Sequence, residues 1–168
     1  MNITDSFIIR KTALHDMPRL MEIFAHARKF MADNGNPNQW KNVKPTKEQI
    51  EKDITKGNSY VLIHDGKIHG TFCFFVGNDP TYNIIYDGKW LNGDDYAVIH
   101  RIASSGEIKG AGTFMMEWAF QQFPNIRIDT HEDNFVMQNM LKKLGYKRCG
   151  IILLEDGEER TAFHKCEN

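Results

Sequence analysis

Ile102-Ala103-Ser104-Ser105-Gly106-Glu107-Ile108-Lys109-Gly110-Ala111-Gly112-Thr113 is the stretch on which the reading of this chain turns. An apolar run ends at Ala103, a glycine-bearing loop follows, and a helical pattern opens at Gly112. A strand feeding a helix through such a loop is a recipe for an anion site. The first N–H groups of a helix have no partner inside it, and its dipole places roughly half a positive charge there. Gly110 and Gly112 carry no Cβ to hold a phosphate off the backbone, and Lys109 adds a full charge. Taken alone, the pattern also fits a plain structural turn. It is not a Walker loop, because no Gly-Lys-Ser/Thr follows at the required spacing. It is not a dinucleotide fingerprint either, because the third glycine is missing and the strand comes late.

Upstream, Phe7–Arg10 reads as a short strand, and Leu14, Met17, Leu20, Met21, Phe24, Ala27 and Met31 recur at helical spacing. That helix stops in the breaker cluster Asp33-Asn34-Gly35-Asn36-Pro37. Thr46–Lys56 is a second helix, capped by Thr46 and ended by Gly57. Ser59–His64 and Ile68–Val76 form a hairpin around Asp65-Gly66. Asn78–Gly93 is an ordered excursion, and Tyr96–Ala103 is the strand that enters the decisive loop. Downstream come a helix over Gly112–Phe123, a strand over Ile126–Thr130, a helix over Asn134–Leu144, and strands over Lys147–Leu154 and Arg160–Lys165. The order β-α-α-β-β-β-α-β-α-β-β predicts one α/β domain over 1–168 with a mixed sheet.

Composition narrows the function. The chain has 168 residues, one domain's worth at roughly 100–200 residues per domain. A net charge of -1 lacks the basic surplus of a general nucleic-acid binder. No apolar run approaches the ~18 residues of a membrane span. Met1-Asn2-Ile3-Thr4-Asp5 lacks the basic start and apolar stretch of a signal peptide, so the expected location is the cytoplasm. Cys73, Cys149 and Cys166 are widely spaced and suggest free thiols. The histidines show no metal-ligand spacing, so no metal is expected.

The second informative stretch is His131-Glu132-Asp133-Asn134, followed by a helix and Leu144-Gly145-Tyr146. Together with Glu107-Ile108-Lys109-Gly110-Ala111-Gly112, it resembles the GNAT superfamily of acyl-CoA-dependent N-acetyltransferases. That family carries (Gln/Arg)-x-x-Gly-x-(Gly/Ala) at a helix start, gripping the pyrophosphate of coenzyme A. A strand follows, then a helix that opens with Asn and ends in Leu-Gly-(Phe/Tyr). The resemblance implies a twisted, mostly antiparallel α/β (α+β) sheet of about seven strands with about four helices, splayed between the strands at 96–103 and 126–130. It implies acetyl-CoA as cosubstrate, held by Ile102, Ala103, Lys109, Gly110, Ala111, Gly112, Thr113 and Asn134, with Lys142 and Lys143 reaching phosphates. It implies a backbone N–H near Ile102 for the oxyanion, and an expected homodimer. Two positions depart from the family pattern. Its Gln/Arg is Glu107 here, expected to point to solvent, and a tyrosine common in the family, which protonates the leaving thiolate, is Leu141 here.

On this resemblance, an amine attacks the thioester of acetyl-CoA. An amine with pKa ~10.4 costs about 4.6 kcal/mol to deprotonate at pH 7, so a base is useful. His100, two residues before Ile102 and so expected on its face, and His131, after the next strand, are the candidate bases. Each also reads as a structural histidine. The acceptor is expected to be a small-molecule or peptide amine. The loop Asp33–Trp40 offers Asn36, Gln39 and Trp40 for it, with Arg28 and Trp90 as further walls. Leu141 also leaves open a non-catalytic CoA-binding sensor or assembly module, and the glycine loop alone leaves open a nucleotide or phosphate-ester binder.

Overall fold

The computed structural model describes residues 2–167. Its elements are β1 (Ile8–Lys11), α1 (Met17–Asp33), α2 (Lys47–Thr55), β2 (Ser59–His64), β3 (Lys67–Val76), β4 (Ala97–Ser104), α3 (Ala111–Gln122), β5 (Asn125–Thr130), α4 (Phe135–Lys143), β6 (Lys147–Leu153) and β7 (Glu159–Cys166). Order and type follow the sequence reading, with ends moved by one or two residues. Phe7, expected in β1, is instead buried in the core, where its ring meets Phe114 edge-on. Local chemistry sets the ends. Thr46 caps α2 by accepting from the Gln49 N–H. The β2–β3 turn has positive φ at both Asp65 and Gly66, as a tight hairpin requires. Among the described residues, no helix is long and apolar enough to cross a membrane.

The sheet has seven strands in the order β1-β2-β3-β4-β5-β7-β6. All neighbours are antiparallel except β4 and β5. Helices α3 and α4 cover one face: Met115, Met116 and Leu141 pack on Phe72, Phe74, Ile99, Ile126 and Ile128. Alternation sends Val98 to the other face, where Tyr82 and Tyr96 cover it together with Ile152 and Ala162. Helices α1 and α2 cover the rest of that face over Val61, Ile68 and Ala103. Each fully buried large side chain contributes about 1.5–3 kcal/mol.

Two irregularities in β4 position the site. Its pairing with β5 is limited to Ala97↔Ile126 and Val98↔Arg127, after which the strands part. The predicted splay is therefore present, and the mouth of the V receives the starts of both α3 and α4. The second irregularity is a bulge. Opposite Thr71–Cys73 the register slips, so Arg101 and Ile102 together face Phe72, and Arg101 adopts φ +52°. One extra residue inverts the alternation beyond it. Ile102 accordingly packs with the α3–α4 core, while His100 lies among Phe75, Tyr82 and Asp79. The expectation that His100 shares Ile102's face is thus corrected, because simple counting assumes an unbroken strand.

Candidate active site

Two cavities meet in the V. The smaller, about 220 Å³, is a groove past Ser104, Gly106 and Gly112 to Val136 and Met140. The larger, about 510 Å³, opens on the side of Gln39, Trp40, His100 and Asp129. They share Met31, Ile102, Asn134 and Met137 as walls.

The groove ends at the start of α3. Gly110 is the cap residue, at φ +86°, and no side chain caps the helix. A left-handed residue there costs a non-glycine about 1–2 kcal/mol, so glycine suits the turn. The first amides of α3 are consequently left for an outside anion. Gly112 lies against Met140, where a Cβ would sit 3.4 Å from the Sδ. The loop before α3 is held by side chains. Ser105 Oγ accepts from the Glu107 N–H at 3.2 Å and pairs with His69 Nδ1 at 3.0 Å. The Glu107 carboxylate is exposed, as expected, and there meets Arg19 at 2.7 Å and Lys67 at 3.0 Å. Those two cations hold its carboxyl down to about 2. Gln or Arg at this position would have no such attraction to the pair, which accounts for the departure in purely local terms.

In the larger cavity, His100 Nε2 lies 2.7 Å from Asp79 Oδ2. Asp79 is buried and fixed from three sides. Its N–H donates to the Tyr96 hydroxyl at 2.8 Å, and its Oδ1 accepts from the Thr81 N–H and hydroxyl. Burial pushes the Asp79 carboxyl up, but the hydrogen bonds from His100 and Thr81 outweigh it and hold the group below its ordinary range. An ionised Asp79 accepts only, so Nε2 carries the proton of this contact and Nδ1 is the ring nitrogen that Asp79 does not engage. Beside this pair, the buried Tyr82 hydroxyl donates to Asp129 Oδ2 at 2.6 Å. Burial, reinforced by Asp129, pushes the Tyr82 phenol well above its ordinary value, so it remains a donor. Asp79, Tyr82 and Asp129 were missed at the sequence level. Asp79-Pro80 reads as a turn, and Asp129 reads as one more residue of a strand.

The other expected residues divide. Ile102, Gly112 and Asn134 line the groove, Ala103 lines it too, and Ala111 is buried behind it. Gln39 and Trp40 line the larger cavity. Asn36 lines the groove instead. His131 lines neither cavity: its Nδ1 accepts the Asp133 N–H at 3.0 Å, a turn role at the start of α4. Trp90 also lies outside. It donates Nε1 to the Tyr82 carbonyl and stacks on the Arg127 guanidinium at 4.5 Å, since the 77–96 segment serves as cover for the sheet. Arg28 lines a separate cavity outside the loop and donates to the Lys44 carbonyl. Lys109, Thr113, Lys142 and Lys143 are exposed and line neither cavity. Cys73 is an inert thiol, pushed up to about 12 by burial.

No protein-family model matches the chain, and no curated protein matches it. Solved structures do. A GNAT-family acetyltransferase from Streptococcus agalactiae 2603 is 32% identical, over 96% of this chain and 96% of that one, with a TM-score of 0.86. A GNAT-family acetyltransferase from Listeria monocytogenes 4b F2365 shares the fold at 20% identity, over 95% and 94% of the two chains, with a TM-score of 0.68. The split between β4 and β5, the open start of α3 and a one-third identity sustained over nearly the whole length agree, and this chain belongs to the GNAT family of acetyltransferases.

Proposed function

We propose that this acetyltransferase moves the acetyl group of acetyl-CoA to the primary amine of a small molecule or peptide, by direct attack with both bound. The observation that carries the reading is the junction of the two cavities at Ile102 and Asn134, inside the V between β4 and β5. GNAT acetyltransferases use acetyl-CoA in general, and the residues here fit it. The uncapped amides of α3 suit its pyrophosphate, and the groove past Gly112 suits its pantetheine arm. When bound, it supplies an acetyl group activated as a thioester.

The chain's own residues then have separable tasks. Asp79, Asp129, Glu155 and Asp156 line the acceptor cavity. Its three cations are Lys44, which adds to the Glu158 N–H in lowering the Asp156 carboxyl, and Arg101 and Arg160, already engaged with Asp53 and Glu158, so the four carboxylates remain in excess. The surplus of carboxylates draws in an amine as its ammonium ion. His100, oriented by Asp79, takes the proton that the attacking nitrogen must lose. A backbone N–H in the splayed part of β4 near Ile102 is the oxyanion donor. Residue 141 is a leucine and α4 carries no tyrosine, so that helix supplies no phenol to the leaving thiolate. With a thiol pKa of ~8.5, that thiolate leaves without an acid. The histidine–carboxylate pair in the cavity favours turnover over a binding-only role.

Calorimetry with coenzyme A at sub-millimolar concentration tests the reading, with heat expected from the wild type and none from Gly110→Glu. Absence of heat from folded wild-type protein overturns it. A panel of amines, assayed by free-thiol release, then identifies the acceptor.

A further inference from the structure

One atom gathers more hydrogen bonds than its neighbours explain. Gln39 Oε1 accepts from Asn134 Nδ2 at 2.9 Å, from Asn36 Nδ2 at 3.0 Å and from Thr130 Oγ1 at 3.3 Å. The orientation of these amides follows from the backbone. The Met137 N–H donates to Asn134 Oδ1 at 3.0 Å, so the other end of Asn134 is its NH₂. That NH₂ requires an oxygen on Gln39, and this oxygen in turn requires the NH₂ of Asn36. The three donors sit on three elements: Asn36 on the loop after α1, Thr130 at the end of β5, and Asn134 at the cap of α4. All three are at least nine-tenths buried. The main-chain carbonyl of Gln39 also accepts from the buried Arg160 at 3.1 Å. The Gln39 side chain therefore ties the loop from Asn34 to Lys44 to the ends of β5 and α4, beside the Arg160 contact to its backbone and the Lys41–Glu158 ion pair at 2.6 Å.

The two ends of this network look onto different substrates. Asn134 and Asn36 line the groove, whereas Gln39 and Thr130 line the acceptor cavity, as does Asn134. We propose that Gln39 is a positioning residue that couples the two, so that a cofactor arm held against Asn134 steadies the loop that walls the acceptor cavity. The coupling is reciprocal: whatever the cofactor gives to the loop, the pinned loop returns as cofactor affinity. Trp40, next in the chain and packed edge-on against Phe24, is carried by the same pin into the acceptor wall. Oε1 has more donors than a carbonyl's two lone pairs accommodate at full strength, which makes the network sensitive to small movements of Asn134.

The inference rests on the acetyl-CoA reading, and the test separates the two. Amide hydrogen exchange over residues 34–44 is measured with and without coenzyme A, alongside calorimetry of coenzyme A. In the wild type, coenzyme A is expected to slow exchange in this loop. Gln39→Leu leaves the buried donors of Asn36 and Asn134 without a partner. It should speed loop exchange about tenfold, weaken coenzyme A about tenfold and abolish the cofactor's protection of the loop. Gln39→Glu keeps an oxygen at the hub and should restore most of both effects, which a general loss of packing would not allow. If the wild type binds coenzyme A with no change in loop exchange, or if Gln39→Leu binds it as tightly as the wild type, the coupling is wrong while the acetyl-CoA reading stands. If the wild type gives no heat, that reading fails first. If the leucine variant does not fold, unchanged wild-type exchange still overturns the coupling.

Discussion

His100 and Asp79 show how a pair of side chains acquires a task from its surroundings. The imidazole is held at one nitrogen by a carboxylate whose pKa burial pushes up, and two further hydrogen bonds, from the Thr81 N–H and hydroxyl, help hold it below its ordinary range. His100→Ala removes the proposed base and should lower kcat by about 10²-fold or more, with the KM for acetyl-CoA within about twofold of wild type. Steady-state kinetics checks this, and an unchanged kcat with a raised amine KM would reduce His100 to a binding residue. Asp79→Asn leaves the ring in place but removes the acceptor that fixes its tautomer, so kcat should fall while coenzyme A binding, read by calorimetry, stays put. His100 was legible in the sequence as a histidine beside the decisive loop. Its partner was not, since Asp79 is 21 positions away and reaches it only because the 77–96 segment folds over the sheet.

At the scale of an element, the bulge in β4 decides which side chains lie on which face of the sheet. Arg101 pays for its left-handed backbone with a two-pronged contact to Asp53 of α2, 2.7 Å on each prong. Asp53→Ala would leave a largely buried guanidinium unpaired. Urea unfolding should show a loss of about 3 kcal/mol, and activity should fall further than stability as the phase of Ile102 is lost. An alanine variant as stable as the wild type would mean that the pair is not what holds the bulge. The helices, by contrast, were readable from spacing and caps alone. Thr46 and Asn134 both bond the amide three residues on, the local contact that their residue type predicts.

On the scale of the molecule, the 77–96 segment is fastened to the sheet through His164, a fully buried residue of β7. Its Nδ1 accepts from the Leu91 N–H at 3.1 Å, and its Nε2 faces Asn125 Oδ1 at 2.6 Å. Burial, with the Arg127 charge added, pushes the imidazole down to about 4. The folded state therefore holds the ring neutral between about 4 and its ordinary value, where the unfolded chain binds a proton. Stability should accordingly be full above the ordinary histidine range and fall as pH drops toward 4, by a loss of the order of 3 kcal/mol. Urea midpoints at pH 7 and pH 4.5 read this directly. His164→Gln should flatten the slope in that window, and an equally steep slope in the variant would assign it to other groups.

The sequence by itself determined the elements, their order, the glycine-capped start of α3 and the family likeness, because caps, glycines and apolar periods act over a few residues. Only the tertiary structure decided the site's chemistry: the Asp79–His100 pair, the Asp129–Tyr82 contact, the hub at Gln39 and the departure of Trp90 and His131 from the cleft. These depend on one inserted residue in β4 and on the strand split beyond Val98, which fix direction over distances that no local pattern encodes.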